Sequence, residues 1–149
     1  ATLDHKVLGK SIDITQTPFL PRRTVYSHVD RQNLPGIFRT FDFASPDAHT
    51  PRRYLTTVPQ QALYLMNHPF AVEQAQRLVA REELQHISDP TERIAWLYQT
   101  LFARSPNADE TDTGQRFIEQ ATTSDADKLD PWARYAQVLL MSNEFTFVD

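Results

Sequence analysis

Asp89-Pro90-Thr91-Glu92-Arg93-Ile94-Ala95-Trp96-Leu97-Tyr98-Gln99-Thr100-Leu101-Phe102 is the stretch on which the fold turns. It opens with a residue able to cap a helix. Pro follows at the first helical position and Glu at the third, where a negative charge suits a helix N-terminus. Ile94, Leu97, Tyr98, Leu101 and Phe102 then recur at helical spacing as a wide apolar stripe. Such a stripe needs partners, and the neighbouring sequence provides them. Asn67-His68-Pro69 restarts the chain ahead of Val72, Ala75, Leu78 and Val79, and His68 belongs to the cap rather than to a ligand set. Asn107 to Glu110 has capping-box spacing before Gly114, Phe117, Ile118 and Ala121. Asp130-Pro131 opens a helix whose inner face is Trp132, Tyr135, Ala136, Leu139 and Leu140. Upstream, Thr57-Val58-Pro59-Gln60 caps the run Ala62-Leu63-Tyr64-Leu65-Met66, which is apolar all round and therefore expected to be buried. Five helices on short links, with no useful strand-like alternation, predict an all-α fold: an antiparallel helical bundle.

The earlier part of the chain reads differently. Pro18, Pro21, Pro35, Pro46, Pro51 and Pro59 break the first sixty residues into short pieces, an irregular, Pro-rich half expected to wrap the bundle. Arg23 to Gln32 is expected to form a helix with Val25, Tyr26 and Val29 inward. Pro35 to Phe41 should add a turn or two, with Ile37, Phe38 and Phe41 packing on the bundle. Lys6 to Ile14 alternates weakly, so residues 1–20 are expected as an extended arm. A lone strand has no ladder partner, so the arm should lie along the helices or pair with something outside the chain. At 149 residues, the length corresponds to a single domain, 1–149.

Composition excludes several classes of function. Hydrophobic residues at 40% and charged residues at 23% are those of a globular chain, not a disordered one. Cysteine is absent, which removes disulfides, thiolate metal sites, a Cys nucleophile and thioether-attached haem, but says nothing about compartment. Three glycines cannot build a nucleotide-binding fingerprint or a P-loop, and no Ser stands in a G-x-S-x-G setting. Mean hydropathy is −0.50 and no apolar run is long enough to span a bilayer, so membrane insertion is not expected. Up to Gln60, eight basic residues face five acidic ones; the remainder carries a net charge of −7. An acidic half and a pI near 5.7 argue against nucleic acid as a partner. The start at Ala1-Thr2-Leu3-Asp4, without Met or an apolar leader, is expected of a mature or excised fragment.

One polar cluster has the residue types of a site: Asp42, Asp47, His49, Arg52 and Arg53, all in an irregular stretch. Asp42, Asp47 and His49 could do acid–base work or hold a metal. The spacing matches no metal motif, and the simpler reading is that charged groups tie down the carbonyls and amides of a Pro-rich loop. The twin pairs Arg22-Arg23 and Arg52-Arg53 could grip an anionic ligand or bridge to Asp30, Asp42 or Asp47. None of His5, His28, His49, His68 and His86 stands four residues from another, so no helix-borne metal pair exists and neither metal nor cofactor is expected. Phe38, Phe41 and Phe43, with Tyr54 and Tyr64, could stack a sugar or a base, but suit core packing better.

Several separated segments occur in an order that resembles a known family. They are Pro21 to Tyr26, Arg31 to Pro35, Phe41 to Asp47, Arg52-Arg53 leading into Thr56 to Leu63, Met66-Asn67, Leu101 to Pro106 followed by Glu110, and Asn143-Glu144-Phe145. From about Gly9 onward the chain is similar to the C-terminal domain of unknown function in large secreted proteins of planctomycetes and related bacteria. There the domain commonly follows a cytochrome-c-like domain and another planctomycete-specific one. The resemblance implies that this chain is the C-terminal part of a larger family domain, exported to the periplasm or cell surface, with upstream domains of the same parent protein as its partners. It supplies no catalytic residue. The resulting expectation is a non-catalytic structural module packing against neighbouring domains. Two alternatives stay open: a carbohydrate or anionic-polymer site, binding or hydrolytic, around Asp42–Arg53, and a docking module for a cytochrome-c-like redox domain.

Overall fold

The computed structural model describes residues 3–30, 32–41, 43–44, 59–123 and 129–146. Among these the protein is all-α, as the periodicity predicts, with no strand. The helices are α1 (Gly36–Thr40), α2 (Pro59–Asn67), α3 (Pro69–Val79), α4 (Glu82–Gln85), α5 (Pro90–Phe102), α6 (Ala108–Thr123), α7 (Pro131–Leu140) and α8 (Asn143–Thr146), preceded by a 3-10 turn at Thr24–Tyr26. Contacts divide the chain into two compact units, Ala1–Tyr64 and Leu65–Asp149, and the division falls inside α2.

In the second unit the helix starts are written in the sequence. Asp89 Oδ2 accepts from the Glu92 amide at 3.0 Å, and Asp130 Oδ2 accepts from the Trp132 and Ala133 amides at 3.0 and 3.1 Å. His68 caps α3 through Nδ1, which accepts from the Phe70 amide at 3.2 Å; burial holds its pKa below the ordinary 6.5 and so favours the neutral ring that can accept. Asn107 and Glu110 cap each other's backbone: Asn107 Oδ1 accepts from the Glu110 amide at 2.8 Å, and Glu110 Oε2 from the Asn107 amide at 2.7 Å. Helix α7 packs against α3, α5 and α6 and is the centre of the unit. Gln137 Nε2 donates to the carbonyls of Leu65 and Met66 at 3.0 and 2.9 Å, which sets the end of α7 beside the start of α3, so these two run antiparallel. The core between them holds Ala75, Leu78, Ile94, Leu97, Tyr98, Ala136 and Leu139. Leu84 joins it, fully buried, from α4, a single turn that the sequence pattern does not announce.

Helix α2 departs from expectation. Rather than being buried, it has no buried residue, with Leu63 57% and Met66 54% exposed. Only Gln61, Tyr64 and Leu65 are partly covered. Their spacing is that of one helical face, so a helix apolar all round is covered along a single stripe.

In the first unit the expected helix over Arg23 to Gln32 is reduced to the three-residue 3-10 turn, and Val25 is 75% exposed rather than inward. The backbone here has another task. The Ile12 amide donates to the Tyr26 carbonyl at 3.0 Å and the His28 amide donates to the Ile12 carbonyl at 2.9 Å, an isolated parallel bridge. At Ile12 the arm therefore pairs within its own unit. Helix α1 forms where expected and buries Phe38, whose ring meets Phe43 at 4.9 Å; Phe41 meets Tyr64 edge-on at 5.4 Å. Of the aromatic cluster, Phe38 is buried while Phe41 and Phe43 stay partly exposed, and Tyr54 lies outside the described residues.

One close approach decides how α6 meets α7. A Cβ on Gly114 would lie 2.5 Å from the Tyr135 hydroxyl, 2.9 Å from Cζ of the same ring and 3.0 Å from Cδ1 of Ile94. Gly114→Ala should therefore lower stability by about 1–3 kcal/mol through overpacking, read as a lower urea midpoint. Gly36→Ala, where a Cβ meets nothing within 4 Å, should not lower it.

Candidate functional site: two arginine clasps

Among the described residues the densest polar arrangement is built on Arg104, at the turn between α5 and α6. Helix α5 ends at Ala103, whose left-handed φ of 56° turns the chain out of the helix and brings Arg104 back toward it. The guanidinium then finds an acceptor for every N–H. Nη1 and Nη2 donate to Glu110 Oε2 and Oε1 at 2.9 and 2.7 Å, and Nε and Nη2 donate to Glu144 Oε1 and Oε2 at 2.6 and 2.7 Å. Nη1 also donates to the Ser105 carbonyl at 3.1 Å. These account for all five donors of the group. Its planar face lies over Tyr98 at 5.2 Å and Phe102 at 5.7 Å.

The charges answer this geometry. Hydrogen bonds from Arg104, with the Asn107 amide, pull Glu110 down to about 2 against the opposing effect of burial, and Arg104 lowers Glu144 too. The same partners raise Arg104 above its ordinary value. Behind the clasp, burial raises Tyr98 and, further, Tyr135, whose hydroxyls are hydrogen-bonded to each other. A carboxylate held this low is a poor proton acceptor at neutral pH, and a guanidinium with no spare N–H cannot grip a ligand. What the arrangement can do is fasten: it joins the end of α5, the start of α6 and α8, forty residues further along.

Arg22 makes a second clasp in the first unit. Its Nη2 donates to the Leu8 carbonyl at 2.8 Å and the Lys6 carbonyl at 3.4 Å, and its Nη1 to the Lys10 carbonyl at 3.2 Å. Nε faces Asp4 Oδ2 at 4.0 Å, and the guanidinium lies 4.3 Å over the Tyr26 ring. Leu8 and Gly9 take positive φ of 72° and 117°, in a segment where the carbonyls of every second residue from Lys6 to Lys10 converge on one cation. Arg22 thus meets Asp4 and backbone, not Asp30. Arg23 is exposed and makes no ion pair among the described residues.

The cluster Asp42, Asp47, His49, Arg52 and Arg53 lies outside the described residues, as do Arg31 and the Thr57 cap. Asp13, His28 and Asp30 border an open hollow of about 540 Å³ with Ser11, Thr15 and Asn33. Thr15 hydrogen-bonds Asp13 through its hydroxyl and amide, at 2.6 and 2.8 Å, and lowers its pKa. No group of three His, Asp or Glu able to hold a metal exists among the described residues, and no helix there is long and apolar enough to cross a membrane. Sequence reasoning passed over Arg104, Glu110 and Glu144 as a site, although all three stand in segments that carry the family resemblance. The pairing of Arg104 with Glu144 has no local signal.

A helical unit fastened by one arginine whose five donors are all met by glutamate and backbone oxygens is the class these features define. Residues 1–118 match a family model described as PSD1, protein of unknown function (DUF1553), and the chain belongs to that family. No curated protein and no solved structure matches. Arg104 and Glu110 fall within the matched span; Tyr135 and Glu144 lie beyond it.

Because Glu110 titrates near 2 in the folded chain and near 4.5 when unfolded, its contribution to stability is complete above pH 4.5 and is lost as pH falls toward 2. Thermal melts between pH 6 and 2.5 should show the melting temperature falling through this window. Glu110→Gln should start lower at pH 6 and fall less steeply.

Proposed function

We propose that this chain is a non-catalytic packing module of an exported, multidomain protein, held rigid so that its faces can seat against neighbouring domains of the same parent. The observation that carries this reading is the exhaustion of the Arg104 donors by Glu110, Glu144 and Ser105, which leaves that centre nothing with which to bind or transform a molecule. The apolar surface of the second unit supports it: Met66, Phe70, Val138 and Phe145 are each more than two-fifths exposed, and exposed apolar side chains are what a domain interface covers. The resemblance to domains of exported planctomycete proteins motivates both the extracytoplasmic setting and the choice of upstream domains as partners.

Amide hydrogen exchange, compared between the 149-residue chain alone and the same residues within the parent protein, tests this. Slower exchange in segments bearing Met66, Val138 or Phe145 within the parent is expected. Identical exchange throughout would remove the packing role.

A further inference from the structure

The first unit carries a groove of about 470 Å³ lined by Val25, Val29, Ile37, Phe38, Phe41 and Phe43. Its lining includes Ser27, the extended residue that follows the 3-10 turn and that the arm pairs on one edge only. The Tyr26 carbonyl and the His28 amide are taken by Ile12. Backbone groups of successive residues in extended backbone address opposite edges, so the Ser27 carbonyl and the Val29 amide face away from Ile12. Neither makes a hydrogen bond among the described residues. An open donor–acceptor pair therefore stands beside an apolar hollow, and Ser27 and Val29 themselves line that hollow. The two elements that supply the lining also carry Arg23 and Arg39, both exposed and without an ion pair among the described residues.

We propose that this edge takes an extended, acidic peptide segment of a partner protein by strand addition, with an aliphatic side chain of that segment filling the groove. The proposal rests on the packing-module reading and gives one of its contacts a chemistry. One residue of the incoming segment donates its N–H to the Ser27 carbonyl and accepts from the Val29 amide. The residues on either side of it then point to the face of Ser27 and Val29, where the groove lies. Acidic neighbours answer Arg23 and Arg39. An aliphatic anchor fits because the lining is aliphatic and aromatic, with only Thr24 and Ser27 adding hydroxyls.

The test uses the full 149-residue chain and a fluorescein-labelled nine-residue peptide alternating Thr and Val, with one central Leu and Asp at both ends. Anisotropy should show saturable binding. The Leu amide faces away from Ser27 and Val29 when the Leu side chain enters the groove, so N-methylation of Leu should be tolerated. N-methylation of its two flanking residues should weaken binding at least tenfold, and Val25→Asp, at a position 75% exposed, should do the same without unfolding the chain. Absence of saturable binding, equal losses from both methylation patterns, or an unaffected Val25→Asp variant overturns the proposal. Self-association of the chain in sedimentation, in place of peptide binding, also overturns it, because the occupant would then be a second copy. Failure here is separable from failure of the broader reading: exchange protection in the parent confined to the second unit, with no peptide binding, sinks the groove alone.

Discussion

The guanidinium of Arg104 has five hydrogens and five acceptors, and the second unit depends on that match. Two bidentate carboxylate contacts fix a planar group in both position and tilt, which a lysine ammonium could not do. The contact to Glu110 closes the turn between α5 and α6, while Glu110 also caps α6 by accepting from Asn107. The contact to Glu144 anchors α8 to the same point. One side chain thereby serves a turn, a helix start and the tertiary placement of a distant helix. The left-handed backbone at Ala103 is what aims it there, at a cost of about 1–2 kcal/mol for a residue with a Cβ.

A centre satisfied so completely is suited to holding shape and unsuited to chemistry. Catalytic groups are left with an unmet need, such as a carboxyl raised toward neutrality or a donor aimed at empty space. Glu110 and Glu144 are moved the other way. The Arg22 clasp spends its cation mainly on backbone carbonyls, with its Nε left without a hydrogen bond 4.0 Å from Asp4. Both arginines join polypeptide to polypeptide.

How much of this was legible depended on distance along the chain. Asp89, Asn107 and Asp130 cap within three residues, so their roles could be read from spacing alone, and the apolar stripe of α5 followed from periodicity. Failures came where a longer-range contact won. Val25, Tyr26 and Val29 have spacing compatible with a helix, but Ser27, bridged to Ile12, is extended, and the helix stops at a three-residue 3-10 turn. Leu84 stands alone in α4, too short for any period to register. The apolar run of α2 said how much surface could be covered and not how much is. Asp42, Asp47, His49, Arg52 and Arg53 carried the strongest site expectation from residue types and lie outside the described residues, whereas the Arg104 clasp, spanning forty residues, left no pattern to find.

The Arg22 clasp has an evolutionary corollary. It grips Lys6, Leu8 and Lys10 through their carbonyl oxygens, and every amino acid supplies one, so the identity of the side chains there is almost irrelevant to the fastening. Val7 and Leu8 project into solvent at 77% and 79% exposure. Mutational drift can rewrite the other side chains of this segment, provided the guanidinium persists, glycine keeps its place at position 9 at a φ of 117°, and position 8 holds a residue that tolerates a φ of 72°.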